Sequence, residues 1–78
     1  MNQTLAKTDS FCITIIEASF IFGKTRYQVE FAIWRDDIKA RQAYGSRQWI
    51  LDYASCVRFF GQPLNNQLVE QIRMDWNE

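Results

Sequence analysis

The sequence of 78 residues predicts an α+β domain. The expected architecture is a three-stranded antiparallel sheet, in the order βββαα, covered on one face by a C-terminal helical hairpin. Three observations predict it. Residues 26–34, RYQVEFAIW, alternate apolar with polar over seven positions, as a half-buried strand does. Residues 11–22, FCITIIEASFIF, are rich in β-branched and aromatic side chains and pair naturally with them as a hairpin. In the last third, apolar residues recur at helical spacing instead.

Each element has its own justification. Residues 1–10, MNQTLAKTDS, are polar and read as a flexible N-terminal tail, leaving a single domain at 11–78. Within 11–22 the alternation changes phase. Phe11, Ile13 and Ile15 share one face; Ile16, Ala18, Phe20 and Phe22 share the other. One core face accepts both sets only through a β-bulge near Ile16 and Glu17, unless the strand is buried on both sides. Gly23-Lys24-Thr25 connects this segment to 26–34, with a glycine able to take positive φ.

Arg35-Asp36-Asp37 reads as a turn. Residues 36–44 alternate as a third strand, with Ile38, Ala40, Gln42 and Tyr44 on one side. A helix competes there, since Lys, Ala, Arg and Gln are good helix formers. The strand is preferred because a two-stranded hairpin is marginal by itself. Gly45-Ser46 breaks the chain, and the Ser46 hydroxyl is placed to cap a helix bearing Trp49, Ile50, Tyr53, Val57 and Phe60. Gly61 and Pro63 end that helix. A second helix covers 66–76, capped by Asn65, stapled by Leu64 onto Val69, and striped by Leu68, Val69, Ile72 and Trp76.

The composition excludes most chemistry. There is no His, so there is no imidazole base or imidazole metal ligand. Cys12 and Cys56 lack metal-ligand spacing and read as separate buried thiols in a reducing cytosol. Asp36 and Asp37 are adjacent, so in a strand they point to opposite faces; turn chemistry explains them better than paired catalysis. Glu17 would matter only if a bulge turned it inward. The three glycines are isolated, unlike a phosphate cradle. The apolar runs fall far short of the ~18 residues of a membrane span. The expectation is a cytoplasmic, non-enzymatic protein with no cofactor, no metal and no membrane contact.

Charge is the remaining clue. Lys+Arg and Asp+Glu number 9 each, so the net charge is zero. Residues 24–47 hold six cations (Lys24, Arg26, Arg35, Lys39, Arg41, Arg47) and three anions (Glu30, Asp36, Asp37), a local +3 balanced by −3 elsewhere. The molecule is dipolar, which orients a partner. Trp, Tyr and Arg are enriched at interface centres. Trp34, Arg35, Lys39, Arg41 and Tyr44 are therefore the expected contact set.

The expected function is protein binding, by occupying a surface of a larger protein or ribonucleoprotein complex, with a homodimer as a further form. In size and makeup the chain is like phage and mobile-element inhibitors such as anti-CRISPR proteins, which is an analogy only. The alternative is single-stranded nucleic acid held on a basic, aromatic sheet face. A helix-turn-helix formed by the last two helices, with Asn66, Gln67 and Gln71 reading bases, is disfavoured. Glu70, Asp75 and Glu78 outweigh Arg73 there, which is the wrong sign for DNA.

Overall fold

The computed structural model describes residues 11–76. The tail expected at 1–10 lies outside them. In chain order the elements are β1 (Cys12–Ile13), α1 (Ile15–Phe22), α2 (Arg26–Trp34), β2 (Ala40–Gln42), β3 (Trp49–Asp52), α3 (Tyr53–Phe60) and α4 (Asn66–Trp76). The α+β class and the three-stranded antiparallel sheet stand. The order βββαα does not: it is βααββαα.

Two predicted strands are helices, and their caps explain why. Thr14 is followed three residues later by Glu17. The Thr14 hydroxyl accepts from the Glu17 amide at 3.1 Å, and Glu17 Oε1 accepts from the Thr14 amide at 2.8 Å. This reciprocal box satisfies two orphan donors and starts α1. Thr25 and Gln28 repeat it at α2, at 3.1 and 2.8 Å. The phase change near Ile16 is thus no bulge; it is the passage from a two-residue strand into a helix. In 26–34 the alternation is coincidental to the burial. Val29 and Ala32, three apart, face the core, while Tyr27 and Phe31 face solvent.

The helix expected from Ser46 also starts later. Residues 49–52 form β3, and Asp52 caps α3 by accepting from the Ser55 amide at 3.0 Å. Ser46 instead accepts from the Gln48 amide within the hairpin turn. The third-strand reading of 36–44 holds at Ala40–Gln42. Asn65 caps α4 through Leu68, as expected, at 3.1 Å. Leu64, the staple expected on Val69, is mostly exposed and lies over Gly23.

The sheet order is β1-β3-β2, both pairs antiparallel. Ile13 and Ala40 both oppose Leu51, while Cys12 opposes Asp52 and Arg41 opposes Ile50. Because strand side chains alternate, Ile13, Ala40 and Leu51 share the core face, and Cys12, Arg41, Ile50 and Asp52 share the outer one. Both α1 and α3 pack on β3, with α4 packed against α1. The cover expected from the C-terminal hairpin is therefore shared with an N-terminal helix. The core joins Phe11, Ile13, Ala18, Ile21, Phe22, Val29, Leu51, Cys56 and Ile72, among others.

The α1–α2 connection is only Gly23-Lys24-Thr25. Gly23 sits at φ 64°, and a Cβ there would lie 2.7 Å from Leu64 Cδ1. Gly23→Ala should therefore cost about 1–2 kcal/mol, chiefly from the left-handed backbone. Urea titration reads this as a lower midpoint at unchanged slope; an unchanged midpoint would contradict the turn.

Candidate functional site

The second helix presents an aromatic ridge. Tyr27, Phe31 and Trp34 follow one another at spacings of four and three, so they line one face of α2. Their exposures are 81%, 52% and 82%, high for side chains this apolar. Phe31 and Trp34 pack ring against ring at 6.1 Å. The Arg35 guanidinium sits 5.6 Å from the Phe31 ring centre and 3.6 Å from the Asp37 carboxylate. Arg26 pairs with Glu30 at 3.2 Å along the same helix. Beside the ridge, Ile33, Trp34 and Trp49 line an apolar hollow of about 500 Å³ between α2 and the β2–β3 hairpin. A smaller one beyond Trp49 is lined by Ile16 and Arg47.

The end of α2 is fixed by its turn. Asp37 donates its amide to the Ala32 carbonyl at 2.9 Å and Asp36 to Ile33 at 3.0 Å. Asp36 takes φ 67°, a seat glycine usually fills and Asp tolerates. The turn reading of this pair was right, and its carboxylates do not converge on a cavity.

The expected contact set divides into three places. Trp34 and Arg35 belong to the ridge. Lys39 and Arg41 border a shallow hollow on the outer sheet face with Cys12, Ile50 and Asp52. Tyr44, fully exposed, is at the tip of the hairpin between β2 and β3. The outer sheet face carries no aromatic side chain among the described strand residues, so the expected basic, aromatic sheet face is not formed there. Sequence reasoning missed Tyr27 and Phe31 as surface groups. The signal was available in the two Thr-x-x-Glu/Gln patterns, which mark helix starts.

Two short helices joined by a three-residue turn with glycine precede the β2–β3 hairpin. This pair differs from the one rejected on charge. Its turn and second helix carry Lys24, Arg26 and Arg35, offset by Glu30, Asp36 and Asp37, so the +3 of residues 24–47 comes from Lys39, Arg41 and Arg47 in and beside the β2–β3 hairpin.

Other candidate chemistry is accounted for by structure. Glu17 is spent in its capping box. Burial raises the Cys12 thiol, with the Asp52 carboxylate adding to the shift. Burial, then Asp52 and Cys12, pushes the Cys56 thiol up to about 12. Neither is a ready nucleophile at neutral pH. Among the described residues, no three His, Cys, Asp or Glu side chains are grouped to hold a metal ion, and no helix is long and apolar enough to cross a membrane. A cleft of about 440 Å³ between α3 and α4 is lined by Arg58, Gln62, Asn66, Glu70 and Arg73; its one carboxylate, Glu70, is tied to Arg73.

No protein-family model, no curated protein and no solved structure matches the chain.

Cys56 supplies a pH test. Its folded thiol stays protonated above pH 9, where an unfolded thiol ionises, so ionisation favours the unfolded chain. Stability present below about pH 9 should fall by up to about 1.4 kcal/mol per pH unit toward pH 12. Denaturant titrations of wild type and Cys56→Ala across that window should show a shallower fall in the variant. Equal slopes would contradict the buried thiol.

Proposed function

We propose that the chain is a non-enzymatic, cytoplasmic DNA-binding domain that lays α2 in the major groove of a duplex and its hairpin wing along the backbone. What supports this reading is the chain order of α1, the Gly23-Lys24-Thr25 turn and α2 followed by a hairpin, with Lys39, Arg41 and Arg47 giving the hairpin region a +3 excess. A helix-turn-helix offers the N-terminal residues of its second helix to base edges. Here those are Arg26, Tyr27 and Gln28, all exposed. Arg pairs with guanine in that groove, and Phe31 suits a thymine methyl. Lys24, Arg35 and Arg47 suit phosphates, which fix register. Zero net charge gives little long-range attraction, but the local imbalance orients the cationic side to the duplex.

With three phosphate contacts, affinity for mixed-sequence duplex should fall roughly 40-fold between about 50 and 200 mM salt. Arg47→Ala should weaken all sequences alike and lower the salt slope by about one. Fluorescence anisotropy with a labelled duplex reads both. Salt-insensitive binding, or none at the lowest salt, would contradict the proposal.

A second reading is favoured by the ridge. Three exposed aromatics on one helix face exceed what base readout uses, and such apolar patches mark protein contacts. In this reading the chain occupies a surface of a larger protein or complex, as an inhibitor does. Capture from nuclease-treated cell lysate should then retain a defined protein complex on the wild type and lose it on Trp34→Ala. Complete loss of captured protein on nuclease treatment would favour the DNA reading.

A further inference from the structure

We infer that the aromatic ridge of α2 is a self-association seam, its occupant the same ridge of a second copy packed antiparallel across a two-fold axis. The inference rests on the protein-binding reading of the ridge and names its partner. Tyr27, Phe31 and Trp34 have the four-three spacing by which one helix seats on another. In an antiparallel pair Tyr27 of each copy meets Trp34 of the other, and the axis passes near Phe31. The contact is isologous, so it closes as a dimer and does not propagate.

Charge fits the same arrangement. The entry to α2 carries Lys24, and at its exit Arg35 and Asp37 offset each other and leave Asp36, so antiparallel pairing sets the cationic end of one helix beside the anionic end of the other. Arg26 and Arg35, which this brings near each other, are each already matched by a carboxylate of their own chain, Glu30 and Asp37. Zero net charge leaves no general repulsion between copies.

Area fits a weak dimer. Aromatic side chains bury roughly 150–250 Å² each. At the observed exposures the three rings remove roughly 300–550 Å² per copy, and the flanking Ile33 and Trp49 add to it. The total approaches the ~1,000 Å² expected of a specific interface and stays in the transient class. Because the seam covers the face of α2 that would enter a groove, dimer and duplex complex exclude each other.

Sedimentation equilibrium of the full chain tests this, from about 10 to about 500 µM, the range suited to an interface of that size. The wild-type weight-average mass should rise toward twice the monomer. Trp34→Glu should stay monomeric with an unchanged circular dichroism spectrum, since Trp34 is mostly exposed. Tyr44→Glu, at the hairpin tip, should dimerise as the wild type does. A wild type that stays monomeric throughout, or a dimer that survives Trp34→Glu, overturns the inference. A monomeric wild type whose captured protein, or duplex binding, is lost with Trp34→Glu also overturns it, assigns the ridge to that partner, and leaves that reading standing.

Discussion

Thr14 and Thr25 each accept a hydrogen bond from the amide three residues on, while Glu17 and Gln28 return one to the cap's own amide. Each box contributes about 1 kcal/mol, which alone decides little in a domain of this size. Its weight lies in where it acts. Both helices are eight or nine residues long, too short to hold together by themselves in water. Once their first turns are fixed, Ala18 and Ile21 on α1 and Val29 and Ala32 on α2 point at one core. The backbone reverses through Gly23, and the amides of Leu64 and Asn65 bind the Ile21 carbonyl, tying the second half of the chain to α1. The exposed face of α2 follows from that docking, because Val29 and Ala32 can be buried only if Tyr27, Phe31 and Trp34 are not.

Much of the second half was legible. The termination at Gly61, the Asn65 cap and the stripe of α4 all follow from local chemistry with few rivals. The turn at Asp36-Asp37 and a strand near Ala40 were likewise readable. The first half was not, for a physical reason. Short helices with aromatic and β-branched residues on both faces have nearly the same composition as strands, and over nine residues periods of 2 and 3.6 overlap at several positions. Glu17 and Gln28 tip the balance as caps, and neither enters a count of hydrophobic periodicity.

The misreading carried over to the site. A strand at 26–34 puts Tyr27, Phe31 and Ile33 together on a core face and leaves Trp34 as an isolated surface ring. A helix rotates Tyr27, Phe31 and Trp34 onto one exposed line and sends Ile33 toward Trp49. The electrostatic argument survived the change. The cationic stretch was visible in the sequence, and its excess falls on Lys39, Arg41 and Arg47 in and beside the β2–β3 hairpin. On α2, Lys24 and Arg26 at the entry, Asp36 and Asp37 at the exit and the rings between them make a surface with an apolar centre and ends that differ in charge.

The most direct test of the account is amide chemical-shift mapping of the isotope-labelled chain, alone and during titration with a short mixed-sequence duplex. Secondary shifts should mark 15–22 and 26–34 as helices, and the duplex should move the resonances of 24–35 and of the hairpin tip. Extended-strand shifts across 26–34 would contradict the fold, and duplex-induced shifts centred on 66–76 would contradict the surface it presents.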